Sequence, residues 1–269
     1  MKVQMTSSKA LIDGDLILYR ACHAVETRMY IAYNEEGEPV ACSSRKKALD
    51  DYSDVTIKYD TMIDEDGAKD GAIIIAETID SILRATKCDE YTVYLTGKGN
   101  YRKDIYPEYK SHRPEKPKLH KVLTDYMLSM GAVMVEGQEA DDALGIAQDE
   151  NSILCSYDKD LMMIPGRHYD FRKKIFKDVS EEEGLRFFYI QLLTGDRTDN
   201  IPGLKGIGPK KAEKILDECK TEKEMYSAVQ DAYLEKEEGN PFDTFDMITR
   251  NARLLYIRRE EDELWSPPV

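Results

Sequence analysis

Histidine and cysteine are scarce in these 269 residues, at four and five, and tryptophan occurs once. Cys22, Cys42, Cys88, Cys155 and Cys219 lie far apart with no Cys-x-x-Cys pair, which argues against a zinc knuckle and against a disulfide framework. They read as reduced core residues. His23, His112, His120 and His168 show no zinc-ligand spacing either. Long apolar runs are missing too. None approaches the ~20 residues needed to cross a bilayer, and the opening MKVQMTSSKALIDGD lacks the apolar stretch of a signal peptide. The expectation is a cytosolic protein with no membrane partner. No repeat or low-complexity segment is evident, and 41% hydrophobic content suffices for one large domain with or without a small appendage.

Net positive charge is also lacking: the chain carries −14, which at first argues against a nucleic-acid partner. The average conceals the distribution. Between Lys98 and Lys121 stand eight basic residues, Lys98, Arg102, Lys103, Lys110, Arg113, Lys116, Lys118 and Lys121, against the three acids Asp104, Glu108 and Glu115. A second basic spot comprises Lys205, Lys210, Lys211 and Lys214.

What the chain does have is carboxylates in clusters: Glu139-Ala140-Asp141-Asp142, Asp158-Lys159-Asp160 and Asp196-Arg197-Thr198-Asp199, with Asp13 upstream. One such run reads as a solvated acidic face. Several carboxylates gathered at element ends would instead raise each other's pKa unless a hard divalent cation neutralised them. A calcium loop needs its ligands within 12 residues, and these span nearly the whole first 200.

Periodicity places the clusters. Lys9–Asp13 reads as a buried strand, with Asp15 capping a following helix; Gly71–Thr86 as a helix, Tyr91–Thr96 as a strand, Leu119–Met130 as a helix, Ala132–Val135 as a strand, Glu139–Glu150 as a helix and Ile153–Ser156 as a strand. Such alternation implies an α/β fold with a parallel sheet, whose strand C-termini form the usual site. The polar stretch 33–67 is an excursion. After Ser180 the chain turns helical, with Glu182–Thr194, a Gly-rich turn at 201–209, Lys210–Asp217, and a last helix at Phe242–Arg258.

Glu139 and Asp142 share a helix face, with Asp141 about 100° from Asp142; Asp196 and Asp199 repeat the i, i+3 spacing; Asp158 and Asp160 lie one strand period apart if extended. Two ions about 4 Å apart are a known solution for phosphodiester cleavage. In Tyr101–Arg113 aromatic and basic side chains interleave, which suits Tyr101, Lys103 and Tyr109 to exposed bases and phosphates and makes Lys110, Arg113 and Arg102 the candidate catalytic cations. Gly206 and Gly208, followed by Lys210 and Lys211, form a helix-hairpin-helix pattern that contacts a duplex backbone without reading sequence.

In this order, Leu-Ile-Asp-Gly-Asp, Tyr-Arg-Lys…Pro-Glu-Tyr-Lys-Ser-His-Arg, Glu-Ala-Asp-Asp, Ser-Tyr-Asp-Lys-Asp, Thr-Gly-Asp-Arg-Thr-Asp-Asn-Ile-Pro-Gly and Gly-Ile-Gly-Pro-Lys resemble the 5′ nuclease superfamily. That group comprises flap endonucleases, the 5′ nuclease domain of bacterial DNA polymerase I and T-odd phage 5′→3′ exonucleases. The resemblance implies a PIN-like catalytic domain over 1–180, a helix-hairpin-helix subdomain over 181–240, and a C-terminal helix and tail, 241–269, packing back on the core. Asp13, Glu139, Asp141, Asp142, Asp158, Asp160, Asp196 and Asp199 match the metal carboxylates, and Lys110 and Arg113 the basic pair near the scissile phosphate. It further implies two Mg2+ ions, with Mn2+ as a substitute, a K+ ion at the hairpin, and a monomer in a bacterial or phage-infected cell. The partner would be DNA with a 5′ end, flap or duplex junction, or an RNA–DNA hybrid.

One departure stands out. Most members carry an aspartate just after the second core strand, where this chain has Thr96-Gly97; water or Thr96 is left to fill that place. The short 110–119 segment also leaves little material for a helical arch. The expected function is a divalent-metal-dependent 5′→3′ DNA exonuclease with 5′-flap endonuclease or RNase H-like activity. The alternatives are a catalytically weakened DNA-junction binder and, third, a PIN-type ribonuclease.

Overall fold

From Ala10 to Asp13 every side chain is buried, as expected of a strand covered on both faces. In this computed structural model, residues 8–34, 36–52, 58–63, 66–236 and 240–269 are described. The chain runs β1 (Lys9–Asp13), α1 (Gly14–Val25), β2 (Glu26–Tyr33), β3 (Pro39–Cys42), α2 (Arg45–Asp51), β4 (Lys58–Ile63), α3 (Gly67–Thr86) and β5 (Glu90–Thr96). Next come α4 (Tyr101–Ile105), α5 (His120–Ser129), β6 (Val133–Val135), α6 (Ala140–Ala147), β7 (Ser152–Cys155), a 3₁₀ turn at Asp160–Met163, β8 (Gly166–Asp170) and β9 (Ile175–Val179). The remainder comprises α7 (Glu181–Thr194), the short ladder β10 (Gly195–Asp196) and β11 (Ile201–Pro202), α8 (Pro209–Leu216), α9 (Glu222–Lys236) and α10 (Pro241–Leu255). Among the described residues no helix is long and apolar enough to cross a membrane.

Two compact units result. The first, residues 1–15, 82–114 and 132–269, is built on a six-stranded sheet in the order β6-β5-β1-β7-β8-β9. Its strands are parallel except for β9, which returns antiparallel along β8. The fold is mixed α/β with a mostly parallel central sheet, as the alternation implies. One apolar core joins the sheet to the later helices: Leu11, Leu144 and Leu154 belong to the same cluster as Phe188, Leu192, Leu216, Val229, Ile248 and Trp265.

Local chemistry sets the helix ends in this unit. Ser180 and Glu183 form a reciprocal capping box at the start of α7, with Glu181 and Glu182 completing an acidic first turn. The helix stops at Gly195, whose φ of 67° suits glycine. Pro209 and Pro241 open α8 and α10, where a missing N–H costs nothing.

The second unit, residues 16–81 and 115–131, holds the three-stranded antiparallel sheet β3-β2-β4. Its first strand begins at Glu26, ahead of the polar stretch that marks the excursion in the sequence; residues 35, 53–57 and 64–65 of that stretch lie outside the described residues. The β2–β3 turn closes on Asn34, whose side chain accepts from the Glu38 N–H at 2.7 Å, while Gly37 takes a φ of 79°. Gly71 of α3 faces Leu123 of α5 so closely that a β-carbon would lie 2.8 Å from Leu123 Cδ1.

Candidate active site

Asp13 and the three acidic clusters at 139–142, 158–160 and 196–199 each lie at or just beyond an element end. Asp13 ends β1 and accepts from Ser156 Oγ, just past β7, at 2.8 Å. Glu139 is the N-cap of α6, and Asp141 and Asp142 lie in its first turn. Asp158 accepts from the Asp160 N–H at 2.9 Å, and Asp160 opens the 3₁₀ turn rather than continuing a strand. Asp196 sits in the β10–β11 ladder and accepts from the Thr198 N–H at 2.7 Å. That ladder is tight enough that a β-carbon on Gly195 would lie 2.2 Å from Gly203 N.

Glu139, Asp141, Asp160, Asp196 and Asp199 line a cavity of about 30 Å³ together with Arg102, Tyr109 and Gln191. Asp141 is the extreme case. Burial, and then the charges of Asp13, Glu139 and Asp158, push its carboxyl well above the usual carboxylate range, with Lys110 opposing. Burial pushes Asp160 up to about 6, with Asp158 and Asp196 adding to the effect. Glu139 shows the opposite balance: burial alone would raise it, but Lys110, Arg102 and the Tyr109 hydroxyl bring it down to about 2.

The cations of the site are held between acids. Lys110 Nζ is hydrogen-bonded to Glu139 and lies 3.5 Å from Asp199. Arg113 donates to Asp199 at 2.6 Å, and Lys159 stands 3.7 Å from Asp160 and 3.5 Å from Asp196. Among the described residues, no three histidine, cysteine or acidic side chains are grouped so as to hold a metal ion as they stand. The donor set nonetheless fits hard divalent cations. Seven carboxylates (Asp13, Glu139, Asp141, Asp158, Asp160, Asp196, Asp199) stand among three cations (Lys110, Arg113, Lys159), and the cavity that five of these acids line exceeds the ~10–15 Å³ that a water needs.

Three residues expected at the reacting surface are placed below it. Asp142 is fully buried and pairs side-on with Arg102, at 2.6 and 2.8 Å. It also receives the N–H groups of Glu139 and Arg258, while Arg102, 2% exposed, donates to the carbonyls of Leu254 and Tyr256. Neither charge faces solvent, because each neutralises the other. Tyr109, also 2% exposed, places its hydroxyl 3.1 Å from both Glu139 Oε2 and Asp199 Oδ2, so it spans two acidic clusters instead of offering a face to a base. Tyr101 lies between two guanidinium groups, Arg102 at 4.7 Å and Arg258 at 4.0 Å. Lys103, Gly206, Gly208, Lys210 and Lys211 are exposed, and Lys211 Nζ donates to the Gly206 carbonyl at 2.8 Å.

Two contributors were not singled out in the sequence. Gln191, a lone amide on the buried face of α7, donates to Asp160 at 2.5 Å; a polar residue inside Phe-Phe-Tyr-Ile-Gln-Leu-Leu was the available signal. Lys159 was visible between two acids but carried no pattern of its own.

Over residues 8–185, about two thirds of its length, the chain matches the family described as 5′-3′ exonuclease, N-terminal resolvase-like domain. It belongs to that family. Curated relatives of this exonuclease-family chain include the Flap endonuclease Xni of Pseudoalteromonas translucida, 28% identical over 192 residues, covering 63% of this chain and 71% of the relative. DNA polymerase I of Rhizobium leguminosarum is 33% identical over 141 residues, 44% of this chain. The chain spans only 14% of that polymerase's length. Among solved structures, the bacteriophage T5 flap endonuclease, in a pseudo-enzyme-product complex with DNA and metal ions, superposes with a TM-score of 0.56 at 16% identity. The match covers 92% of this chain and 88% of the T5 chain, and shows the shared α/β fold.

Proposed function

We propose that this chain is a divalent-metal-dependent 5′→3′ DNA exonuclease with 5′-flap endonuclease or RNase H-like activity. The observation that carries this reading is the acid-lined cavity at the sheet's carboxyl edge, with Lys110 and Arg113 paired to the acids around it. Family membership and the DNA and metal ions bound to the T5 enzyme support it.

Asp13, Glu139, Asp141 and Asp158 would hold one magnesium ion, and Asp158, Asp160, Asp196 and Asp199 a second, with manganese able to replace either. Bound there, the ions would supply a hydroxide from water and stabilise the leaving oxygen. Glu139 and Asp199 raise the proton affinity of Lys110 against the opposing effect of its burial, so the amine keeps its charge at neutral pH. Lys110 and Arg113 are thereby available to a scissile phosphate once cations relieve their acids. Arg102 and Asp142 act from below as positioning residues, because Asp142 fixes the Glu139 main chain. The exposed Gly206–Gly208 turn with Lys210 and Lys211 would hold a duplex backbone. A potassium ion taking the Gly206 carbonyl would have to compete with Lys211.

Cleavage of a 5′-labelled blunt duplex and a matched 5′-flap duplex, in magnesium or in EDTA, tests the reading. Magnesium-dependent mononucleotides or short oligomers are expected from the blunt duplex, and release of the whole flap would identify a structure-specific endonuclease. Binding of both without cleavage would favour the second reading, a DNA-junction binder, which the absence of an acid at Thr96-Gly97 motivates.

A further inference from the structure

Just past the carboxyl end of β1 stands an acid outside the donor set named above. Asp15 follows Asp13 by two residues, and Gly14 between them is pressed onto β5: a β-carbon there would lie 2.5 Å from Tyr94 O and 2.7 Å from Val93 Cγ1. Only glycine allows the β1–α1 junction to approach its neighbour strand this closely. The approach delivers the two acids to opposite sides of β1. Asp13 is held by Ser156 beyond β7, and Asp15 by Thr96 at the end of β5.

The Thr96 N–H faces both oxygens of the Asp15 carboxylate, at 3.2 and 3.3 Å. The Thr96 hydroxyl accepts from the Ala140 N–H at 2.9 Å, which ties Asp15 through Thr96 to the first turn of α6. Glu139 and Lys110 are near enough for their charges to act on it. Asp15 reads from the sequence as a helix cap, yet its side-chain bonds go across to β5.

For holding Thr96, an amide would serve as well as a carboxylate and would avoid burying a charge beside Glu139. An acid at this place therefore has a use beyond structure. The end of β5 supplies none as it stands, with Thr96 and Gly97 there. The Thr96 hydroxyl is taken by the Ala140 N–H, and a β-carbon on Gly97 would lie 2.6 Å from Val135 O and 2.7 Å from Glu136 Oε1.

We infer that Asp15 belongs to the cation-binding donor set, supplying from the β1–α1 junction the carboxylate that the end of β5 lacks. The inference rests on the reading of this site as a divalent-metal centre.

The test is Mn2+ binding to the full chain without DNA, followed by the electron paramagnetic resonance of free Mn2+. It compares the wild type with Asp141→Asn, Asp15→Asn and the double variant Asp15→Asn/Thr96→Asp. Asp15→Asn is expected to weaken one class of Mn2+ sites about tenfold, with its melting temperature in chelator unchanged or raised, and Thr96→Asp to restore part of the loss. Wild-type Mn2+ binding by Asp15→Asn, alongside weakened binding by Asp141→Asn, overturns the inference alone. A melting temperature that falls together with Mn2+ binding, without rescue by Thr96→Asp, reduces Asp15 to a structural residue and also overturns it. Failure of the wild type itself to bind Mn2+ overturns both the inference and the proposed centre.

Discussion

Asp141 and Asp142 are neighbours on the first turn of α6 and belong to two different regions of the site. Asp142 is part of a floor in which every charge has a partner: Arg102 side-on, the Glu139 and Arg258 N–H groups, and the Leu254 and Tyr256 carbonyls around Arg102. Asp141 is part of a rim in which carboxylates face one another and a small cavity, with too few cations between them. A buried charge that is fully hydrogen-bonded holds shape. One left among like charges stores an unfavourable energy that a bound cation can release. Floor and rim therefore answer differently to mutation, to pH and to metal.

The sharpest way to break the contrast is at the floor. Arg102→Ala leaves Asp142 charged and buried without its counter-ion, and a loss of about 3–5 kcal/mol in unfolding free energy is expected, read from urea melts. A smaller loss than ~1 kcal/mol would mean that the pair is not part of the stabilising frame. At the rim, Asp141→Asn should do the reverse. Cleavage is expected to fall about 100-fold, or ~2.7 kcal/mol of barrier, while the melting temperature in chelator holds or rises. If it melts early, the rim is structural after all.

Tyr109→Phe lies between the two regions, removing the hydroxyl that spans Glu139 and Asp199. About a tenfold fall in cleavage, ~1.4 kcal/mol, with little change in DNA affinity is expected. A selective loss of affinity would return this ring to the role of a base-stacking surface.

Proton titration without metal should separate two acids of the rim by sign, Asp160 away from the floor and Glu139 beside Arg102. Asp160 has its proton affinity raised from 3.8 to about 6, so the folded chain holds more protons than the unfolded one across that window. Its contribution to stability falls as pH rises from about 4 to 6. Glu139 is lowered from 4.5 to about 2, so its contribution is complete above about 4.5 and is lost as pH falls toward 2. Melting curves in chelator should show the first slope disappear in Asp160→Asn. Its persistence there would place the effect elsewhere.

The rim was legible in the sequence and the floor was not. Acids near element ends, set off by apolar strands such as Ile153–Cys155, stand out as clusters, and the parallel α/β alternation orders them along one sheet edge. Nothing local distinguishes Asp142 from Asp141, or Arg102 from Lys110. Their separation depends on a partner 40 positions away in the chain and on the carbonyls of Leu254, in α10, and Tyr256, just past it, more than 150 away. The extended spacing expected for Asp158 and Asp160 failed for a local reason, since the Asp160 N–H turns back onto the Asp158 carboxylate and starts a 3₁₀ turn. Asp15 was read by the commonest use of its residue type at a helix start. That use was displaced by the closeness of β5, which only the fold reveals.

The floor is closed by the Leu254 and Tyr256 carbonyls and the Arg258 N–H, yet the residues that match the exonuclease family end at 185. A ribosome making this chain at ~5–20 residues per second would deliver the whole acidic rim several seconds before the segment that locks Arg102 under it. Until then α6 lacks its finished support, so a chain stopped between Asp199 and Arg258 would carry the rim without its floor.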